Sequence, residues 1–190
     1  MAATNKRGVF SLETVLEKQS DNNWSKIPEV FRYVNVLITA APAFGYLAGG
    51  KSSSGDRSSV DRIDYGNDTA TAAPKGTLVS NNDGGNIAGT GNQSFGYTCG
   101  TSITNVNRID YSSDTSTTSP KGPVTLGRYA HSTTSSTTHG YFTGGKSPSE
   151  NTGTGWTTTD RIDYSNDTAT AVVKSPLSAG RTYTTSTSSR

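Results

Sequence analysis

Asp160-Arg161-Ile162-Asp163-Tyr164-Ser165-Asn166-Asp167-Thr168 is the third occurrence of one string in this chain. The first is Asp61-Arg62-Ile63-Asp64-Tyr65-Gly66-Asn67-Asp68-Thr69 and the second Asn107-Arg108-Ile109-Asp110-Tyr111-Ser112-Ser113-Asp114-Thr115. Each follows a second marker: Gly45-Tyr46-Leu47-Ala48-Gly49-Gly50, then Gly96-Tyr97-Thr98-Cys99-Gly100-Thr101, then Gly140-Tyr141-Phe142-Thr143-Gly144-Gly145. Successive markers stand 51 and then 44 residues apart, close to the roughly 40–50-residue period of sheet-forming repeats. The chain therefore reads as a repeat protein, with units 45–95, 96–139 and 140–190.

Within a unit, Gly-Tyr-x-x-Gly-Gly reads as a strand whose glycines permit close backbone approach or positive φ. A polar loop of changing length follows, Ser52-Ser53-Ser54-Gly55 in the first unit and Pro148 to Gly155 in the third; variation confined to one loop suits the exposed face of an array. Arg-Ile-Asp-Tyr alternates, so Ile63, Ile109 and Ile162 face away from the flanking Arg and Asp, as in a half-buried antiparallel strand. The Ser/Gly-Asn/Ser-Asp that follows is a turn signal, and Thr69-Ala70-Thr71-Ala72 or Thr168-Ala169-Thr170-Ala171 is expected as the returning strand of a hairpin. Pro74-Lys75-Gly76, Pro120-Lys121-Gly122 and Lys174-Ser175-Pro176 read as breaks. A last strand, such as Tyr129 to Thr138 or Tyr183 to Ser188, closes each unit. Four short strands per unit is the count of a propeller blade. The expected fold is all-β: three four-stranded blades, in a ring that three blades leave incomplete. The chain stops where a fourth Gly-Tyr is due, so either the natural chain continues beyond Arg190 or subunits complete the array between them.

Leu, Ile, Val and Phe make up only 30 of the 190 residues, about 16% against the roughly 20% below which disorder becomes the default. Disorder usually couples low hydrophobicity to high net charge, and here the formal charge is +2 with 17% charged residues. Regular Tyr, Gly and β-branched residues point instead to a lean sheet architecture in which each repeat adds a thin slice of a shared core. Near-neutrality gives no basic face for phosphates, so nucleic acid is not an expected partner. No apolar run reaches signal-peptide or membrane-span length, and a soluble protein made in a cytoplasm is expected. The single cysteine, Cys99, occupies the slot of Ala48 and Thr143 and reads as a small strand residue.

Residues 1–44 lie outside the repeat and carry the helical patterning. Ser11 can cap a short helix with Leu12, Val15 and Leu16 on one face. A second can begin near Pro28, with Val30, Phe31 and Val34 packing and Glu29 at its positive end. Helices this short are marginal alone, so the segment, with Trp24, needs a partner: its own repeats, or a larger assembly or further copies of the protein to which it docks. Val36-Leu37-Ile38-Thr39-Ala40-Ala41 reads as a strand.

The Gly-Tyr-x-x-Gly-Gly marker with its Ile-Asp-Tyr-x-x-x-Thr hairpin resembles the kelch repeat. Asp160 to Ala171 with Gly140-Tyr141-Phe142-Thr143-Gly144-Gly145 is similar to kelch-type repeats in virion structural proteins of tailed phages, especially those of marine cyanobacteria. Lys6-Arg7-Gly8-Val9-Phe10-Ser11-Leu12 resembles the start of those proteins. The resemblance implies a virion location, in a tail fibre, tail spike or neck appendage made in the host cytoplasm. It implies residues 1–44 as an anchor to other virion proteins; the apolar faces of that segment make Leu12, Val15, Leu16, Trp24, Val30 and Phe31 the expected assembly contacts, and an array too short to close, with an uncovered edge, makes homo-oligomeric association expected.

Candidate chemistry is sparse. The carboxylate pairs Asp64/Asp68, Asp110/Asp114 and Asp163/Asp167 fall short of the six to eight oxygens calcium takes and read as turn closers. Arg62, Arg108 and Arg161 are expected to pair with Asp of the same or an adjacent blade. A glycosidase needs two carboxylates across a cleft, whereas Glu13, Glu17 and Glu29 lie in the anchor and Glu150 stands alone in the longest loop. Trp156, near Glu150 and Lys146, is a candidate glycan-stacking side chain or a subunit contact. His131 and His139 lack the spacing of metal ligands or of a nucleophilic triad, and Gly84, Gly85, Gly89 and Gly91 lack the strand-then-helix setting of a phosphate loop. No enzyme activity, cofactor or metal is expected; a carbohydrate-binding adhesin reading a host surface glycan is the alternative function.

Overall fold

The structure, a computed structural model, describes residues 43–79, 86–100, 103–147 and 154–188. The chain divides into two units, Met1–Ala41 and Pro42–Arg190. The first lies outside the described residues, and with it the expected helices, the strand at 36–41 and the contacts Leu12, Val15, Leu16, Trp24, Val30 and Phe31.

The described part is all-β apart from one 3-10 turn at Tyr111–Ser113. Sheet 1 consists of β1 (Phe44–Ala48), β4 (Ser59–Asp64) and β5 (Ala73–Thr77), with a two-stranded ribbon, β2 (Lys51–Ser52) and β3 (Gly55–Asp56), in its loop. Sheet 2 is β6 (Ala88–Gly91), β7 (Phe95–Cys99), β8 (Val106–Asp110) and β9 (Ser119–Lys121). Sheet 3 is β10 (Ser132–Ser135), β11 (His139–Thr143), β12 (Thr159–Asp163) and β13 (Val172–Lys174). All pairings are antiparallel, each strand with the next in sequence except that β1 passes over the β2–β3 ribbon to pair with β4. Among the described residues the sheets do not join into a closed barrel or ring.

Two expectations are corrected. The sheets are out of phase with the units 45–95, 96–139 and 140–190: sheets 2 and 3 take their first strand from the residues ahead of the Gly-Tyr marker, and among the described residues sheet 1 has three strands, not four. The returning strand of each hairpin is also later than the Thr-Ala alternation suggests. Asp64 folds the chain into a turn, its Oδ1 accepting from the Gly66 amide at 2.8 Å and its carbonyl from Asn67 at 3.1 Å. A further turn bond runs from the Ala70 amide to the Asn67 carbonyl. Pairing resumes only at Ala73 opposite Arg62, so Pro74-Lys75-Gly76 and Pro120-Lys121, read as breaks, lie in β5 and β9. Proline is tolerated there because these are the outermost strands of their sheets, with no further ladder strand to which the proline position must donate.

One register recurs in all three sheets. Gly45 faces Ile63, Gly96 faces Ile109 and Gly140 faces Ile162, while Tyr46, Tyr97 and Tyr141 face Arg62, Arg108 and Arg161. The glycine lets a tyrosine pack close: a Cβ on Gly96 would stand 2.7 Å from the Tyr111 hydroxyl oxygen, and on Gly45 2.5 Å from that of Tyr65, so the ring would have to shift. The tyrosine of each Asp-Tyr folds back over that vacancy.

The core lies between sheets. One buried cluster joins Tyr97, Cys99, Val106 and Val124 to Phe142, Ile162 and Ala171; the other joins Val60 and Leu78 to Ile109, with Tyr46, Ala48, Ile87 and Tyr111 packed around it. The isoleucine of each Arg-Ile-Asp-Tyr thus packs into the sheet before it, worth about 1.5–3 kcal/mol on full burial. Ile63, which has no such sheet ahead of it among the described residues, is only partly buried. A chain with few large apolar residues can fold this way because each one serves two sheets.

Candidate assembly interface

The two junctions between sheets are built alike. Asp114, in the turn after β8, accepts from the Tyr46 hydroxyl at 3.0 Å and from Arg62 Nη1 at 2.8 Å, with Lys75 Nζ 3.5 Å away. Asp167, in the turn after β12, accepts from Tyr97 at 3.0 Å and Arg108 at 2.8 Å, with Lys121 at 3.3 Å. Both carboxylate side chains are 10% exposed. Backbone bonds of 2.8 Å from the Gly76 amide to the Asp114 carbonyl and from Gly122 to that of Asp167 lie beside them. Tyr46 stacks on Tyr111 with centroids 4.6 Å apart, and Tyr97 on Tyr164 at 5.0 Å. Phe44 and Phe95 lie under the Arg62 and Arg108 guanidinium groups, which holds each fork towards the next sheet.

Burial raises the pKa of both carboxyls, but the tyrosine and arginine hydrogen bonds, with the nearby Arg and Lys charges, more than offset it, so Asp114 and Asp167 lie below the ordinary aspartate value. Burial and the hydrogen bond to Asp167 push Tyr97 up, keeping its phenol a donor. Tyr111 is pushed up to about 12, chiefly by burial.

The sequence leads to an Asp of the same or an adjacent repeat for Arg62, Arg108 and Arg161; Arg62 and Arg108 pair with an Asp of the adjacent sheet, and Arg161 has no carboxylate at ion-pair distance among the described residues. The two aspartates of each turn look equivalent in sequence, and they are not. Asp64, Asp110 and Asp163 close their own turns, accepting from Gly66, Ser112 and Ser165 amides, while Asp114 and Asp167 cross to the preceding sheet. Lys75 and Lys121 were missed; their recurrence in Pro-Lys-Gly was the available signal.

A second link was also missed. The segment leaving sheet 2 carries Arg128 into sheet 3, where it pairs with Asp160, both fully buried. Arg128 Nη1 donates to the Gly144 and Thr158 carbonyls at 3.0 Å, and Thr125 Oγ1 donates to Asp160 at 2.7 Å. Sheet 2 has Asn107 at the position of Asp160, a departure visible in the string itself. Beside the pair, His131 is buried with neither ring nitrogen hydrogen-bonded; burial, then the Arg128 charge, pushes it down to about 4, so it is neutral at pH 7. Trp156 is partly buried, with Arg128 5.8 Å from its ring centroid. His139 binds the Thr138 hydroxyl at 2.8 Å, and Glu150, Gly84 and Gly85 lie outside the described residues.

A cleft of about 780 Å³ opens between the edges of β1 and β6, with Phe44, Tyr46, Tyr65, Tyr111, Asn92 and Gln93 in its wall and no acidic, basic or histidine side chain. Among the described residues there is no cluster of three metal-ligating side chains, and no helix is long and apolar enough to cross a membrane. No protein-family model matches the chain, and it matches none of the curated proteins.

Proposed function

We propose that this is a structural protein of a tailed-phage virion, most simply a tail fibre or other tail appendage. In this reading residues 1–44 attach it to other virion proteins, and the sheets are kelch-like propeller blades forming a shaft or host-facing surface. The virion assignment rests on the sequence resemblance, and the repeated junction is the observation that carries the structural role. The charged and hydroxyl groups that recur in the repeats hold one sheet to the next, which is the chemistry of an assembling scaffold. No catalytic activity or cofactor belongs to this reading. The test is mass spectrometry and immunogold labelling of purified particles, with a chain lacking residues 1–44 compared with the full chain. Recovery with particles and its loss on truncation are expected; absence of the full chain from particles overturns the proposal.

The alternative is a carbohydrate-binding adhesin. The uncharged, aromatic-walled cleft favours it, since aromatic faces with amide groups beside them suit a neutral sugar, and Trp156 remains the sequence candidate for stacking. Glycan-array binding lost on Tyr65→Ala, at an exposed side chain of the cleft wall, or on Trp156→Ala, in chains that melt as the parent does, would select it.

A further inference from the structure

The two internal junctions leave an unused half at each end of the described array. On sheet 3 the register places Tyr141, Arg161 and Lys174 where Tyr97, Arg108 and Lys121 stand on sheet 2. Among the described residues no carboxylate lies within ion-pair distance of Arg161 or Lys174, and no tyrosine stacks on Tyr141. On sheet 1, Asp68 holds the turn position of Asp114 and Asp167 but is exposed. Tyr65, the counterpart of Tyr111 and Tyr164, is 56% exposed. One end therefore presents three donors and an unstacked ring, and the other the carboxylate and ring that such donors hold at both internal junctions.

A strand is also left without a sheet. Thr133 donates to the Gly89 carbonyl, and Thr90 Oγ1 to that of Thr134 at 3.1 Å, joining the first strands of sheets 2 and 3. The same two bonds recur one repeat on: Ser186 donates to the Thr133 carbonyl, and Thr134 Oγ1 to that of Thr187 at 3.2 Å. Residues 182–188 thus run beside β10 as β10 runs beside β6. They hold the place of the first strand of a further sheet, and sheet 1 is the sheet that lacks its first strand among the described residues.

We infer that two copies of this chain associate head to tail, Asp68 and Tyr65 of one docking on Tyr141, Arg161 and Lys174 of the other. In that arrangement residues 182–188 of one copy lie along the free edge of β1 of the next. One departure weakens this junction relative to the internal ones. Ser175 stands where Gly76 and Gly122 admit the incoming turn, and a Cβ at those glycines would lie 1.9 Å from the Ser116 carbonyl oxygen and 2.0 Å from that of Ala169. The association is accordingly reversible and tightens when that Cβ is removed. It stands or falls independently of a virion location.

Sedimentation-velocity series on the full chain test it. Concentration-dependent association is expected, with Asp68→Ala and Arg161→Ala each raising Kd at least about tenfold, the equivalent of about 1.4 kcal/mol. The two substitutions lie on exposed or partly exposed side chains, so unchanged thermal melting serves as the folding control. An equimolar mixture of the two variants keeps one intact junction and forms dimers only. Ser175→Gly lowers Kd. A monomer at all concentrations, or association indifferent to Asp68→Ala and Arg161→Ala, overturns the inference, whichever other segment then covers β1; an unchanged Kd for Ser175→Gly overturns the register and the inference with it.

Discussion

Asp163 and Asp167 stand four positions apart in one turn and act on different bodies: the first shapes its own hairpin, the second grips another sheet. Replacing Asp167 by Ala removes the acceptor of Tyr97 and Arg108 and leaves Lys121 without its counter-charge, for an expected loss of about 1.5–3 kcal/mol in urea unfolding. Asp163→Ala, at a more exposed turn, costs less, since the remaining turn bond is backbone. The acid limb of stability has two parts. His131 binds a proton near 6.5 when unfolded and near 4 when folded, so the unfolded chain takes up more protons in that window and stability falls as pH drops through it. Below that, protonation of Asp114 and Asp167, whose folded values are depressed, removes the stability present above the ordinary aspartate value. Melting temperature followed from pH 7 to 3 should show both limbs, and His131→Gln should abolish the first. At the alkaline end Tyr111 is pushed up to about 12 from an unfolded value near 10. Its contribution is full below pH 10 and falls as pH rises from 10 to 12, by up to about 1.4 kcal/mol per unit; Tyr111→Phe flattens that decline.

The strands of Gly-Tyr and Arg-Ile-Asp-Tyr could be read from period-two alternation, and their pairing from the recurrence of both markers at matched spacing. The returning strand could not, because Thr-Ala alternation mimics a strand while the Asx turn and the bond from Ala70 to Asn67 use those residues as a corner. Pro-Lys-Gly misled for a related reason: a break signal for a central strand is compatible with an outer one. What that tripeptide does appears only with the neighbouring sheet in place, where its lysine reaches the carboxylate and its glycine lets the turn come close. Gly122→Ala puts a Cβ 2.0 Å from the Ala169 carbonyl oxygen, and backbone cannot rotate aside. A loss of about 1–3 kcal/mol is expected, with amide shifts at Asp167–Ala171 in NMR spectra and none in sheet 1.

For the molecule as a whole, low apolar content was legible as a shared core, and the structure locates the sharing: each buried cluster draws on two sheets. Sheet 2 contributes to both clusters and each outer sheet to one. Hydrogen exchange should therefore be slowest in β7 and β8 and faster in β4 and β12, because an array held by neighbour contacts opens from its ends; equal protection throughout would contradict a core of this kind. The phase of the repeat was not legible, since Gly-Tyr is the most conspicuous marker but belongs to the second strand, and the first strands are bland Thr, Ser and Gly joined by hydroxyls. The loops that differ among repeats follow β1 and β11, on the far side of the double glycines from the Asp turns: a small ribbon at Lys51–Asp56 in one and a longer stretch of sequence after Lys146 in the other. Length can change there while the joints keep their spacing. A lineage could thus rewrite its outer rim, residue by residue or by whole insertions, and inherit the framework unaltered.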